Sequence, residues 1–306
     1  MVTSIGLPPQ LVRLLENGQI LRESCYRGRF APSPTGPLHL GNLRTALISW
    51  LRARLKNGEW LLRIDDLDTP RNRSGAIESI QRDLIWLGLD WDGPIIFQSH
   101  RKDIYNNFLS ALRLQKKIYP CQCSRKLLAS LHPSEDQNFI YPGTCRELNL
   151  PWTMNGKKQP SWRLKVSQEF SLISGDIVLR RADGFIAYNL ATVVDELCLG
   201  INEVVRGKDL VYAINSQLAV IDALAQKPLI YKYVPLMLSG DGRKLSKRDE
   251  ACGLDKFKDQ GVNAPYVIGL LASSLNLVPI GSQLSAIELL SDLRKRKTAI
   301  NCLLND

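Results

Sequence analysis

The pattern of hydrophobic and polar positions predicts a strand, a loop and a helix near the start of the chain. Residues 24–31 carry the first strand, and apolar side chains then recur at helical spacing across residues 43–56. Asn57 and Gly58 end this helix, since such residues commonly follow a helix C-terminus. Residues 60–64 are almost continuously apolar, as in a strand of a parallel sheet covered on both faces. The start of the chain therefore predicts an α/β fold with a parallel sheet.

Farther along, a middle part of short strands separates two parts of mixed helices and strands. The texture changes at Pro120, and a hairpin is predicted in which residues 177–181 and 185–190 flank an Ala-Asp-Gly turn. The other predicted elements are helices at 74–87, 105–117 and 212–225, strands at 162–166, 191–196, 202–205 and 231–238, and helical spacing from residue 254. We therefore predict a domain inserted into the parallel-sheet fold.

Composition and charge narrow the class of protein. The chain has 306 residues, of which 44% are hydrophobic and 23% charged, which is enough for a large core and two or three domains. Its net charge of +10 favours a polyanionic partner such as RNA, and would equally suit an enzyme that holds nucleotides. Seven cysteines, only three of them clustered, do not form a disulfide framework. We therefore expect a reducing cytoplasm. Since no apolar run is long enough to cross a bilayer and the first 25 residues lack the apolar core of a signal peptide, we expect a protein that is neither exported nor anchored in a membrane. We also expect a monomer.

The loop at residues 29–42 has the composition of a phosphate-binding site. Its three prolines and two glycines exclude regular structure, and the helix that begins near Asn42 directs its free N–H groups towards the loop. His39 is placed to donate to phosphate oxygens, and Arg29 to hold a carboxylate with two hydrogen bonds. A proline-rich connection with a structural histidine would show the same residues.

A second basic loop lies at residues 240–248. A glycine turn is followed there by four cations within six residues, as in a mobile loop that closes on a polyphosphate. A solvated run of charges is the alternative for this segment taken alone. The two loops together are therefore stronger evidence for a polyphosphate-binding site than either loop is alone.

Together, the loops resemble the HIGH and KMSKS signatures of the class I aminoacyl-tRNA synthetases. The matching segments are residues 39–42 (His-Leu-Gly-Asn) and residues 244–248 (Lys-Leu-Ser-Lys-Arg), and the string Arg-Phe-Ala-Pro-Ser-Pro-Thr-Gly at 29–36 is typical of the glutamyl branch. The resemblance implies a Rossmann-like catalytic domain that activates L-glutamate with ATP, with Mg²⁺ expected, before any tRNA binds. It also implies that His39, Lys244 and Lys247 are catalytic, and that ATP is bound by His39, Gly41, Asn42, Lys244 and Lys247.

The same resemblance implies a set of glutamate-binding residues. They are Arg29, Phe30, Ala31, Pro32, Ser33, Asp65, Tyr188 and Arg206. The chain departs from the family pattern twice, with Asn42 at the last HIGH position and Asp65 where the family usually has Glu. One methylene less shortens the reach of the side chain by roughly 1.5 Å, so we expect Asp65 to contact the substrate ammonium through water.

Cys121, Cys123 and Cys145 form a candidate zinc site. Three thiolates from two sequence loci are enough to anchor Zn²⁺, but the Cys-x-Cys spacing is tight and a fourth Cys or His is missing, so spacing alone leaves bystander thiols as an alternative. The pattern resembles the zinc site of a shortened branch of the glutamyl family, in which a tyrosine completes the ligand shell. That resemblance implies one structural Zn²⁺ held by Cys121, Cys123, Tyr141 and Cys145.

The shortened branch lacks the large anticodon-binding region of complete glutamyl-tRNA synthetases. Only 59 residues follow Lys247, so we expect that region to be absent here too. The resemblance then implies transfer of glutamate to the queuosine base in the anticodon of tRNA(Asp). The alternatives are charging of a tRNA 3′ end, a catalytically idle tRNA-binding paralogue, and a nucleotidyltransferase of the same fold.

The motifs divide the chain into five predicted segments. In addition to the Rossmann-like domain, we expect a zinc-bearing α+β insertion and a short helical tail, and we expect one or two amphipathic turns near Pro8. The segments are an N-terminal extension (1–24), the first Rossmann half with the HIGH-like motif (25–118), the inserted acceptor-type domain (119–188), the second half with the KMSKS-like loop (189–250) and a helical C-terminal segment (251–306).

Overall fold

The computed structural model describes residues 6–131, 140–154, 159–235 and 254–296. The chain divides into two compact units, which we describe one at a time. The antiparallel-sheet unit comprises Met1–Ile20, His100–Gly200 and Tyr212–Pro228, and the parallel-sheet unit comprises Leu21–Ser99, Ile201–Val211 and Leu229–Asp306. The five segments predicted from the motifs remain a prediction.

Helices and strands alternate through most of the described residues. The strands are β1 (Arg27–Phe30), β2 (Glu59–Ile64), β3 (Ile96–Phe97), β4 (Ile118–Cys121), β5 (Ser161–Leu164), β6 (Ile177–Arg180), β7 (Glu203–Gly207) and β8 (Ile230–Val234). The α-helices are α1 (Pro9–Ser24), α2 (Leu40–Leu55), α3 (Ala76–Trp86), α4 (Lys102–Leu114), α5 (Arg125–Leu131), α6 (Gln168–Ser171), α7 (Tyr188–Cys198), α8 (Ile214–Ala223), α9 (Leu254–Asp259), α10 (Ala264–Ser273) and α11 (Ala286–Lys295). Short 3-10 helices occupy Thr69–Arg71, Gln98–Arg101 and Lys208–Ala213. No helix in the described ranges is long and apolar enough to cross a membrane.

The strands of the parallel-sheet unit confirm the predicted parallel pairing. β2 pairs in parallel with β1 on one side and β3 on the other, and β7 pairs in parallel with β8. The backbone N–H of Asn202 donates to the carbonyl oxygen of Arg27 at 3.0 Å, and the Asn202 side chain accepts from the Arg27 N–H at 2.7 Å. These two bonds place the start of β7 beside the start of β1, so residues at the carboxyl ends of both strands lie at one edge.

Helix α2 is buried on nearly all sides. It contacts β1, β2 and β7 as well as α10 and α11, which explains why ten of the eleven residues from Leu43 to Ala53 are buried. β2 is equally enclosed, with Trp60, Leu62 and Ile64 fully covered. Burial on both faces is the physical reason for the continuous apolar run seen in the sequence of this strand.

A buried ion pair joins α2 to β7. Arg52 donates through Nε and Nη2 to the two carboxylate oxygens of Glu203, with Nη2 to Oε2 at 2.7 Å. The hydroxyl of Tyr26 donates to Glu203 Oε1 at 2.8 Å. The side chains of Arg52 and Glu203 are only 1% and 3% exposed, so this carboxylate is satisfied without water.

The antiparallel-sheet unit is built on the order β4-β5-β6, with a register shift at Trp162/Arg163. Asp195 on α7 is fully buried and accepts from Arg101 Nε at 2.6 Å and from the Tyr105 hydroxyl at 2.9 Å. Helix α1 approaches α7 so closely that a β-carbon at Gly18 would lie 1.9 Å from the carbonyl oxygen of Leu197. Glycine is required at this contact because no side chain fits there.

Three predictions from the sequence are wrong in this unit. The second hairpin strand at 185–190 is reduced to a single bridge between Arg180 and Ile186. Residues 191–196, expected as a strand, lie inside α7 and are buried throughout, because a helix enclosed on all sides has the same short apolar run as a buried strand. The expected one or two turns near Pro8 extend into the 16-residue helix α1.

Candidate active site

The loop after β1 is tied to the segment that follows β2. The carbonyl oxygen of Pro32 accepts from the backbone N–H of Asp65 at 3.0 Å, and that of Pro34 accepts from the N–H of Arg73 at 2.8 Å. The ring of Phe30 stacks on Trp60 with centroids 6.2 Å apart. Ala31 is half-buried and Ser33 is exposed. These contacts position the loop although it has no regular structure of its own.

His39 and Asn42 cap the N-terminus of α2 reciprocally. His39 Nδ1 accepts from the backbone N–H of Asn42 at 3.3 Å, and the Asn42 side-chain oxygen accepts from the His39 N–H at 3.4 Å. Because of this cap, α2 begins at Leu40, three residues before Leu43, where the apolar spacing predicted the start of the helix. Because Nδ1 is an acceptor, a neutral His39 carries its ring proton on Nε2. Asn42 therefore has a structural reason to stand at the last HIGH position.

Gly41 allows the His39 ring to fold over this helix end. A β-carbon at position 41 would lie 3.1 Å from Cε1 and Nδ1 of His39, closer than the ring tolerates without moving. The arrangement leaves the first amides of α2 at the mouth of the loop, where a helix N-terminus favours anions.

Two buried arginines lie on the adjacent strands β1 and β7. Arg29 Nη1 donates to the carbonyl oxygen of Val205 at 3.0 Å. Val205 directly precedes Arg206 on β7, so this bond holds Arg29 close to the backbone of Arg206. Arg206 Nη2 donates to the hydroxyl of Tyr233 at 3.1 Å, and its guanidinium lies 4.9 Å from the ring centre of Tyr231 and 5.3 Å from that of Tyr233. The structure thus brings together two of the predicted glutamate-binding residues.

Asp65 is already paired with a cation. Arg63 donates to its two carboxylate oxygens from Nε at 2.7 Å and Nη2 at 3.1 Å, and both side chains are buried. Sequence reasoning missed Arg63, although a lone arginine inside the apolar run of β2 was a visible signal. Tyr231 and Tyr233 were also missed, and their alternation along β8 was the corresponding signal.

The remaining predicted site residues are placed as follows. Tyr188 is the first residue of α7 in the antiparallel-sheet unit, and its side chain is 42% exposed. Lys244 and Lys247, with the whole basic loop at 240–248, lie outside the described residues.

The predicted metal ligands converge in the antiparallel-sheet unit. The Sγ atoms of Cys121, Cys123 and Cys145 all lie within 4.8 Å of one another. The Tyr141 hydroxyl is 3.4 Å from Cys121 Sγ and 3.5 Å from Cys123 Sγ, and it accepts from the Cys145 N–H at 2.9 Å. Three sulfurs and one phenol oxygen with these separations match the size of a tetrahedral Zn²⁺ shell.

Arg163 lies against this cluster. Its Nε donates to Cys121 Sγ at 3.2 Å, its Nη1 donates to the carbonyl oxygen of Asp176 at 2.7 Å, and its guanidinium covers the Tyr141 ring at 3.7 Å. Burial alone would raise the pKa of the Cys121 thiol, but the Tyr141 hydroxyl and the positive charge of Arg163 outweigh it and hold that pKa below its ordinary value. Burial raises the pKa of the Cys123 thiol to about 11.

Comparison with known proteins agrees with this geometry. Residues 26–273 match the family model described as tRNA synthetases class I (E and Q), catalytic domain. The chain therefore belongs to the class I tRNA synthetases of the E and Q type and is a class I aminoacyl-tRNA synthetase-like ligase. The resemblance inferred from the HIGH-like and KMSKS-like motifs is confirmed.

Within that family the chain is similar over its whole length to glutamyl-Q tRNA(Asp) synthetases. It is 59% identical over 304 residues to the Glutamyl-Q tRNA(Asp) synthetase of Prochlorococcus marinus (strain MIT 9303), covering 99% of each chain. It is 43% identical over 265 residues to the protein of that name from Dechloromonas aromatica (strain RCB), covering 80% of this chain and 87% of the relative.

A solved structure supports the same fold. The glutamate tRNA ligase from Elizabethkingia meningosepticum, in complex with its amino acid, superimposes with a TM-score of 0.72 at 25% identity. The match covers 87% of this chain but 64% of that longer one, which is less than two thirds of its length.

Proposed function

We propose that the protein activates L-glutamate with ATP and transfers it to the queuosine base in the anticodon of tRNA(Asp). The observation that carries the proposal is the similarity, over 99% of both chains, to a relative named Glutamyl-Q tRNA(Asp) synthetase. The capped N-terminus of α2 and the two buried arginines at the sheet edge support it from the geometry.

In the first step, a carboxylate oxygen of glutamate attacks the α-phosphorus of ATP. The bond from that phosphorus to the bridging oxygen breaks, and pyrophosphate leaves with the electron pair. His39 and the amides around Gly41 hold the phosphates from one side, and Lys244 and Lys247 neutralise the leaving pyrophosphate from the other. Such a reaction needs positioning and charge stabilisation more than covalent help from the protein.

Glutamate carries two carboxylates and one ammonium, so its site requires both cations and anions. Arg29 and Arg206 bind the carboxylates, assisted by Ser33 and the neighbouring backbone of Phe30, Ala31 and Pro32. Asp65 faces the ammonium, although its bidentate pairing with Arg63 reduces the negative charge it offers. Tyr188 contributes a hydroxyl.

In the second step, a hydroxyl oxygen of the queuosine cyclopentene diol attacks the carbonyl carbon of glutamyl-adenylate. An ester forms, AMP leaves with the former carboxylate oxygen, and the proton of the attacking hydroxyl passes to solvent. An unstacked anticodon base is accessible for this reaction, because loop bases are commonly splayed into protein pockets.

Two measurements test the proposal. Pyrophosphate exchange without tRNA should occur with glutamate and not with glutamine or aspartate, and exchange that strictly requires tRNA would contradict tRNA-independent activation. Labelled glutamate should then appear on tRNA(Asp) bearing queuosine and not on the same tRNA with guanine at that position. Nuclease digestion followed by mass spectrometry locates the label, and recovery on the terminal adenosine would establish 3′ charging instead.

We further propose that one Zn²⁺ is bound by Cys121, Cys123, Tyr141 and Cys145. Such a four-ligand shell has no open position, so the ion would stabilise the fold of this unit rather than take part in the reaction. Protein purified without chelator should contain one zinc per chain, and Cys145→Ser should lose it. Cys25→Ser is the matched control, since Cys25 lies outside the cluster and should keep the metal. Zinc-free wild-type protein would refute the site.

A further inference from the structure

A groove rich in positive charge opens on the antiparallel-sheet unit. None of the residues assigned above to ATP, glutamate or zinc lines it, although Pro120 and Arg146 of its lining are the chain neighbours of Cys121 and Cys145. It has a volume of about 450 Å³ and lies among the end of α4, the strand β4 and the segment 146–152. We call it the basic groove. Its polar and aromatic lining includes Arg113, Lys116, Tyr119, Arg146, Trp152 and Lys165.

The charges of the basic groove are poorly balanced by the protein. In the described part of the chain it is lined by four cations, Arg113, Lys116, Arg146 and Lys165, and by one carboxylate, that of Glu147. Arg146 is partly neutralised by the buried Asp176, at 3.6 Å. Within the described parts of the chain, the other three cations take part in no ion pair. Like charges gathered without counter-ions are stabilised when a polyanion binds and releases its own condensed ions.

Aromatic rings hold two of these cations in place. The guanidinium of Arg113 lies 4.1 Å from the ring centre of Trp152, which in turn packs edge-on against Trp162 with centroids 5.1 Å apart. Lys165 Nζ lies 5.9 Å from the ring of Tyr119. A guanidinium stacked on a ring keeps its N–H donors in its own plane, where they can bond phosphate oxygens.

Two separate parts of the chain supply the cations. Arg113 lies in the last turn of α4 and Lys116 follows the same helix end in a turn with φ of 56°, whereas Lys165 comes just after β5. Among the described residues that line the groove, none belongs to a glycine-rich loop or to a helix N-terminus of the kind that cradles a single phosphate group. Spread charges without such a cradle fit a chain of phosphates better than a nucleotide.

We propose that the basic groove binds the phosphodiester backbone of the RNA substrate, through Arg113, Lys116 and Lys165. This proposal rests on the proposed function, which supplies an RNA. The contact is independent of base sequence, because phosphates position a nucleic acid without reading it. An acidic protein segment is the alternative occupant of the groove. A measurement of RNA binding by variants of the groove distinguishes the two occupants.

The test uses the full-length protein and an unmodified tRNA(Asp) transcript. Binding is measured at several salt concentrations for wild type, for Lys116→Glu/Lys165→Glu, and for Lys102→Glu/Lys227→Glu, which makes the same charge change at two exposed lysines of this unit outside the groove. The groove variant should bind at least about tenfold more weakly, and the slope of log K against log salt should fall by about 1.4–1.8, since each phosphate contact contributes about 0.7–0.9. The control variant should change both quantities much less.

Several outcomes would overturn the proposal. The first is a groove variant that keeps the affinity and the salt slope of the wild type. The second is an equal loss of affinity in the groove variant and the control variant. The third is a wild-type protein that does not bind the tRNA. If the groove variant fails to melt cooperatively, Lys116→Ala/Lys165→Ala decides through the same slope. Glutamate-dependent pyrophosphate exchange without RNA is measured alongside and should stay at the wild-type level. Failed exchange or failed transfer in the wild type contradicts the proposed function, whereas a changed salt slope reports on the groove alone.

Discussion

The buried pair Arg52–Glu203 gives the sharpest test of how the parallel-sheet unit is held together. In Glu203→Gln, the new amide places N–H groups against the guanidinium of Arg52, which in the wild type donates two hydrogen bonds to the carboxylate, with Nη2 2.7 Å from Oε2. Arg52 then remains buried with its charge uncompensated. Breaking a buried pair in this way costs about 3–5 kcal/mol. For a unit of this size, that corresponds to a fall in Tm of about 6–20 °C.

The matched control is Glu59→Gln. Glu59 accepts from Arg27 Nε at 2.7 Å in the same sheet, but its side chain is 45% exposed and that of Arg27 is 14% exposed. Surface pairs contribute about 0–1 kcal/mol, so this variant should unfold close to wild type. Urea unfolding at constant m-value measures both changes. Equal losses of stability in the two variants would refute the argument from burial.

The pH dependence of the same pair has a definite sign. Burial alone would raise the pKa of Glu203, but the hydrogen bonds and charge of Arg52 outweigh it and leave that pKa below its ordinary value. A depressed folded-state pKa means that the stabilisation is fully present above the unfolded pKa, about 4.3, and is lost as the pH falls through the lower folded value. The stability difference between wild type and Glu203→Gln should therefore be constant near neutral pH and shrink only in acid. A difference that grows in acid would contradict this.

Three shorter predictions follow from other contacts. Gly18→Ala should destabilise the antiparallel-sheet unit by about 1–3 kcal/mol or more, since its methyl would overlap the carbonyl oxygen of Leu197, and thermal melting checks this. Tyr233→Phe removes the acceptor 3.1 Å from Arg206 Nη2, so the KM for glutamate in pyrophosphate exchange should rise about tenfold with a smaller change in kcat. Lys247→Ala should slow exchange by about one to three orders of magnitude without altering the melting temperature, and a wild-type rate would remove Lys247 from catalysis.

The sequence by itself determined the parts of this protein that depend on local pattern. The helical spacing after Leu43 and the apolar run of β2 predicted an α/β fold with a parallel sheet. Both signals depend on the order of apolar and polar residues that are close together in the sequence. The loop motif around His39 and the three clustered cysteines were likewise visible, since the chemistry of each motif requires particular residues at short spacing. The division into five segments and the catalytic roles of the basic loop remain predictions.

Only the tertiary structure decided which distant side chains meet. Arg52 and Glu203 are separated by 151 positions, so no local pattern pairs them. Arg163 contacts Cys121, 42 positions earlier in the chain, because the strand β5 pairs with β4. The apolar run at 191–196 was ambiguous for the same reason. A buried helix and a buried strand share a composition, and only the surrounding elements determine which of the two forms.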